Sequence, residues 1–134
     1  MQELRKITQE QLEEILLKHK LYLENKEDGG KADLSYCDLR DANLTGANLR
    51  GAYLGYADLR GANLIGVDLE GADLKDADLS YCDLQVANLI DADLRYADLR
   101  DANLRYADFR YADLRDANLE CANLECANLE NAII

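Results

Sequence analysis

The sequence predicts an all-β solenoid, a chain wound into stacked coils, with an α-helix at its N-terminal end. Three observations predict it. From Ala32 to Ile134 a five-residue phrase occurs 21 times without a gap, centred on Leu at every fifth position from Leu34 to Leu129, with Phe109 and Ile134 as substitutes. Two residues before each centre stands a small apolar residue, usually Ala, with Cys37, Val67 and Cys82 as exceptions, and Asp or Asn lies between, except at Tyr53 and Ile133. No regular element has this period. A straight helix turns about 100° per residue, so every fifth residue drifts off any one face, and a strand repeats every two.

Within one phrase the pattern does fit. Ala-Asp-Leu alternates apolar, polar, apolar, so Ala and Leu point the same way from a three-residue strand, and the two variable residues turn a corner. Strand and corner in alternation wrap the chain into a coil with Leu and Ala inside. One coil cannot bury its own core, so successive coils stack, rising roughly 4.8 Å each. Early corners favour glycine (Gly46, Gly51, Gly61, Gly66, Gly71), as turns with positive φ require.

The tandem Ala-(Asp/Asn)-Leu-x-x phrases, such as Ala42-Asn43-Leu44-Thr45-Gly46 and Ala97-Asp98-Leu99-Arg100-Asp101, resemble the pentapeptide-repeat family over about three quarters of the chain. The resemblance implies a right-handed quadrilateral β-helix with four phrases to a coil. The residues alone leave the number of sides open. Leu94–Leu104 recurs at Phe109–Leu119, a shift of 15 that suits a three-sided coil as well.

Ahead of the repeats, residues 1–28 read as a helix. Thr8-Gln9-Glu10-Gln11 has the form of a capping box, with Ile7 and Leu12 placed as its hydrophobic staple. Leu12, Ile15, Leu16, His19 and Leu23 fall on one face, and Gly29-Gly30 ends the helix. Open solenoid ends need covering. Residues 1–31 are therefore expected to cap the Leu34–Leu49 ring and link to a rod of residues 32–134, with His19 at the seam. At 134 residues the whole is expected to be one domain.

The formal net charge is −12, of which residues 32–134 carry 20 acids against 9 bases. Such a surface repels nucleic acid. Eleven of those acids precede a phrase's central Leu or Phe, where Asp and Asn interchange, as they would if they capped their own turns. With four-sided coils Asp38, Asp58, Asp78 and Asp98 form one ladder, with Arg40, Arg60 and Arg100 beside it, and Tyr36, Tyr56 and Tyr96 share a corner column. The N-terminal residues lack a signal peptide's apolar run and no segment has the length of a membrane span, so a cytoplasmic protein is expected. Cys37 and Cys82 hold inward small-residue places. Cys121 and Cys126 sit at successive corners, too far apart for a bridge, so reduced thiols are expected.

Candidate functional residues fall in two groups. Arg95, Arg100, Arg105, Arg110 and Arg115 occupy one position of successive phrases, with Tyr96, Tyr106 and Tyr111 beside three of them. This girdle has hot-spot residue types, although arginine stems that cover the wall and pair with Asp explain it more economically. At the C-terminal end, Leu119, Leu124, Leu129, Ile133 and Ile134 would leave an apolar patch beside an acidic collar of Glu120, Glu125 and Glu130. A symmetric end-to-end homodimer would cover that patch, as in some members of the family it resembles. No catalytic, cofactor or metal site is expected. The single His cannot build a nucleophilic pair within the coil, and no phosphate loop or His/Cys cluster is present. The favoured function is a rigid interaction or scaffold module for a protein partner. The alternative, implied by resemblance to fluoroquinolone-resistance members, is an acidic DNA mimic acting on DNA gyrase. Five coils span roughly 24 Å, only about seven base pairs, so a mimic would need the dimer.

Overall fold

The computed structural model describes residues 3–134. Its elements are β1 (Arg5–Lys6), α1 (Gln9–Leu23) and β2 (Cys37–Asp38), followed by a long ladder of single parallel bridges. The capping box forms as expected: the Gln11 amide donates to Thr8 Oγ1 (3.1 Å) and the Thr8 amide donates to Gln11 Oε1 (2.8 Å).

The helix expected over residues 1–28 is shorter at both ends, and residues 1 and 2 lie outside the described residues. Upstream of Thr8 the chain is extended, because β1 pairs in parallel with β2, Arg5 opposite Cys37 and Lys6 opposite Asp38. The first coil has a free sheet edge below it, and β1 occupies that edge. At the other end, Asn25 rather than Gly29-Gly30 stops the helix. Asn25 takes φ 55°, its amide donates to Tyr22 O (3.1 Å), and the Lys26 amide donates to Leu21 O (2.9 Å). This is the bond pair of a Schellman cap, with Asn as the left-handed residue. Gly29 has a different role. A Cβ there would stand 2.5 Å from the Tyr22 backbone nitrogen, so only glycine lets the returning chain pass so near the helix.

In the solenoid, every bridge joins residues 20 apart, from Asp33↔Tyr53 to Asp113↔Ile133. Four phrases therefore make a coil, and the three-sided possibility falls away. Four sides result, whose outward columns start at Asp33, Asp38, Asn43 and Asn48. The bonding repeats: Leu64 donates to Asp83 O in the next coil (2.7 Å), and the Asp83 amide donates back to Ala62 O (3.1 Å). Each corner closes with an amide-to-carbonyl bond such as Ala47 to Leu44 O (3.1 Å). All 20 corners place their second residue at positive φ, and 15 of these residues are not glycine. Each outward Asp or Asn caps its own corner, its Oδ1 accepting the amide two residues on, as from Thr45 to Asn43 (3.2 Å) and from Lys75 to Asp73 (3.0 Å). The expected Asx caps are thus present.

The core is the column of Leu and Ala from Ala32 to Leu114, nearly all at 3% exposure or less, with Phe109, Cys37, Cys82 and Val67 fitted into it. On the N-terminal side Leu12 joins this core, and Ile7, Ile15 and Leu16 pack against it. His19 is fully buried; its Nδ1 accepts the Ala32 amide (3.0 Å), so Nε2 carries the proton and donates to Arg50 O (2.9 Å). On the C-terminal side burial declines abruptly. Leu114 is buried, whereas Leu119, Leu124 and Leu129 are half-buried, and Ile133 and Ile134 are 50% and 77% exposed. Among the described residues no helix is long and apolar enough to cross a membrane.

Candidate interaction surface

Asp followed two residues later by Arg is a local design that the fold turns into a fork. The alternation of the strand points the Asp outward, the corner brings the Arg stem back over it, and the guanidinium lies against the carboxylate. Six pairs take this form: Asp38–Arg40, Asp58–Arg60, Asp93–Arg95, Asp98–Arg100, Asp108–Arg110 and Asp113–Arg115. In Asp93–Arg95 the Nε and Nη2 contacts are 2.9 and 2.7 Å. Arg40 hydrogen-bonds Asp38, and Arg115 Asp113, strongly enough to hold both carboxyls down at about 2. Arg40 Nε also stands 3.8 Å from Asp58 in the next coil, and Arg60 Nε 3.8 Å from Asp78. The four-rung Asp ladder is relieved in this way.

Two repeat arginines follow Asn instead of Asp, and both look one coil onward. Arg50 Nη2 meets Glu70 at 3.3 Å and Arg105 Nη2 meets Glu125 at 3.5 Å. Hence every arginine of the solenoid has a carboxylate partner in the rod. The girdle residues Arg95, Arg100, Arg105 and Arg110 stand on four successive sides, so they encircle the rod rather than share one face; Arg115 returns to the side of Arg95. Arg105 differs from the rest. Its Nε is buried without an acceptor, and its guanidinium carbon lies 5.5 Å from the Tyr106 ring centre.

The corner tyrosines are presented differently. Tyr36 and Tyr56 stack flat, with ring centres 4.9 Å apart and planes 1° apart, while Tyr81, Tyr96, Tyr106 and Tyr111 project with more than half their surface exposed. All six sit at corners with φ near +60°. A non-glycine residue in that region costs roughly 1 kcal/mol, so tyrosine there is not a choice made by the backbone.

The C-terminal candidates share one end. Leu119, Leu124 and Leu129 belong to the last coil's inner ring, with Ile133 and Ile134 at its edge, and no further coil lies over them among the described residues. The amide of Leu114 still donates to Ile133 O (2.7 Å), the last bond of that type. All four cysteines are free; Cys37 and Cys82 are buried, Cys121 and Cys126 exposed. Burial pushes the Cys82 thiol up to about 12, and its Sγ–H donates to Leu59 O (2.8 Å). Among the described residues no group of three His, Cys, Asp or Glu is placed to hold a metal ion.

One hollow escaped sequence reasoning, and it lies on the first side. Tyr53 stands in the outward column where Asp or Asn is the rule, and Gly55 leaves the next outward place empty. Tyr53 was visible as a departure; the signal overlooked was a glycine one residue before a corner's positive-φ position.

Residues 31–64, 57–95, 82–120 and 97–134 match the family described as pentapeptide repeats, in 8 copies. A pentapeptide repeat protein from the Arabidopsis thaliana thylakoid lumen shares 32% identity and a TM-score of 0.62, covering 63% of this chain and 59% of that one. HetL, a pentapeptide repeat protein involved in heterocyst differentiation regulation from the cyanobacterium Nostoc, shares 33% with TM-score 0.59, covering 78% and 60%. Another Nostoc pentapeptide repeat protein shares 36% with TM-score 0.65, covering 88% of each chain. The chain thus spans about three-fifths of the length of the first two. Comparison with curated proteins gives no match. The structural neighbours imply a right-handed quadrilateral β-helix, in agreement with the 20-residue register.

Proposed function

The chain belongs to the pentapeptide-repeat family, and from that premise we propose that it is a non-catalytic, rigid protein-interaction module. The exposed corner tyrosines carry the proposal. Tyr81, Tyr96, Tyr106 and Tyr111 stand 53–69% exposed on a backbone that would favour glycine at each place. Large amphipathic side chains on a pre-ordered scaffold lose little entropy on binding and suit interface centres. Arg105, beside the Tyr106 ring and held only by Glu125 at 3.5 Å, is the girdle arginine whose terminal nitrogens are most readily turned to donate to a partner's oxygen.

Residues 1–31 serve as cap and linker and residues 32–134 as the rod, together one domain. The burial of Leu12 and His19 against the first coil supports the capping role. The rod associates with a second copy through Leu119, Leu124, Leu129, Ile133 and Ile134. Fully burying a Leu or Ile is worth about 1.5–3 kcal/mol, and this end holds five incompletely buried ones. The DNA-mimic reading on gyrase is weaker, because the six Asp–Arg forks neutralise carboxylates that a mimic would display.

One paired experiment tests the proposal. Light scattering on the wild type should give a dimer, and on Ile133→Asp/Ile134→Asp a folded monomer. Changing the four exposed corner tyrosines to Gly should leave the circular dichroism unchanged and abolish capture of the partner that the wild type retains. A monomeric wild type sinks the dimer, and capture that survives the tyrosine changes sinks the interaction surface.

A further inference from the structure

Six glycines lie within the repeats, and five have positive φ, where glycine is the natural corner residue. Gly55 is the exception. It sits one residue before its corner, and a Cβ there would find only Lys75 O at 3.5 Å and Asp73 Oδ1 at 3.8 Å, ordinary contacts. The backbone therefore does not require glycine. What glycine supplies is room, a hollow of about 270 Å³ floored by Gly55, walled by Tyr53 and the Tyr36–Tyr56 stack, and bounded by Asp33 and Asp73.

The same side of the rod shows what fills this place elsewhere. Two coils on, Arg95 occupies the position equivalent to Gly55 and lays its guanidinium on Asp93 at 2.9 and 2.7 Å, with Nε 3.8 Å from Asp113 in the coil above. At Gly55 the coil above supplies Asp73, whose side chain accepts the Lys75 amide and, among the described residues, forms no ion pair. The carboxylate of the phrase itself is replaced by the Tyr53 ring. That ring accepts a cation, for Lys31 Nζ already stands 4.3 Å from its centre. Replacing Asx by Tyr also leaves the Gly55 amide without the cap that the other outward Asp and Asn residues supply, a donor open to a peptide carbonyl. Lys75 lines the hollow, Lys31 already covers one face of Tyr53 and Arg5 stands 3.8 Å from Asp33, so the carboxylate left for an incoming cation is Asp73.

We propose that this hollow binds an arginine side chain of the partner protein, its guanidinium seated over Gly55 where the rod's own arginine is missing, against Tyr53, Tyr56 and Asp73. Planar guanidinium suits both aromatic faces and carboxylates. The identity of the arginine's owner rests on the interaction-module reading; the hollow's chemistry does not, and it can be tested with a small probe.

N-acetyl-arginine methylamide titrated into the full-length protein should shift the Gly55 amide resonance saturably, in the millimolar range. The uncharged citrulline analogue should bind about tenfold more weakly or less, the loss of one charged contact. Gly55→Arg should fold, because φ and space at position 55 tolerate a side chain, and should lose the probe by filling the hollow from within. The proposal is overturned by no saturable shift at about 50 mM probe, well above a millimolar Kd. Equal binding of the citrulline analogue, or undiminished binding by folded Gly55→Arg, overturns it equally. If the probe fails while partner capture by the corner tyrosines persists, the hollow is wrong and the interaction module stands.

Discussion

His19 links the helix to the first coil through both nitrogens of its ring. The buried ring accepts the Ala32 amide and donates to Arg50 O, so His19→Ala orphans two polar groups at the seam. Each unsatisfied buried group costs about 1–3 kcal/mol, which gives about 2–4 kcal/mol for opening the seam between helix and first coil once partial rehydration is allowed. The hydrogen-exchange protection factor of the Ala32 amide should fall about 30- to 1000-fold accordingly. Protonation does the same more gently. Burial lowers the His19 pKa below its ordinary value of 6.5, with Lys31 adding repulsion and the bond to Arg50 O opposing both. A depressed pKa means that the unfolded state takes up a proton first. Stability is therefore full above about pH 6.5 and declines as pH falls from there toward the folded pKa, by at most about 1.36 kcal/mol per unit. His19 is the only histidine, and carboxylates of ordinary pKa titrate mostly below about pH 5. Between pH 6.5 and 5 the slope thus belongs to one group. A flat protection profile in the wild type, or the same slope in His19→Ala, would refute the clasp.

Two further predictions follow from the corners and the core. Val86 holds φ 52° with its side chain largely exposed, and a β-branched residue in that region is strained; Val86→Gly should raise Tm by a few degrees, about 1 kcal/mol, and a lower Tm in thermal melts would contradict the strain. Phe109 is fully buried between Leu89 and Leu129 in the central column, so Phe109→Ala should cost about 3–5 kcal/mol in urea denaturation while Phe109→Leu costs under about 1.5 kcal/mol; near-equal losses would show that the column does not discriminate volume there.

Much of the architecture was legible because it is local. Ala and Leu facing inward, Asx capping the amide two residues on, and glycine at early corners all follow from contacts within a single phrase, so the residues of that phrase suffice to infer them. The capping box at Thr8 and Gln11 is local too. The Asp–Arg forks were half legible: the spacing Asp-x-Arg was in view, but whether the arginines face a partner or their own carboxylates depends on the angle of the corner.

What the sequence by itself determined is the strand-and-corner phrase, its buried ring of Leu and Ala, and the excess of acid on the outer wall. What only the tertiary structure decided is everything 20 residues apart. The angle of each corner sets the number of sides, and identical phrases repeated at five residues carry no mark of that angle. Once the coil closes on a 20-residue register, Tyr36 meets Tyr56, Arg105 meets Glu125, and Gly55 falls beneath Asp73. Closure also creates the free edge that draws β1 onto β2 instead of into the helix. An edge has no existence in the linear chain, and neither has the hollow whose walls come from three successive coils.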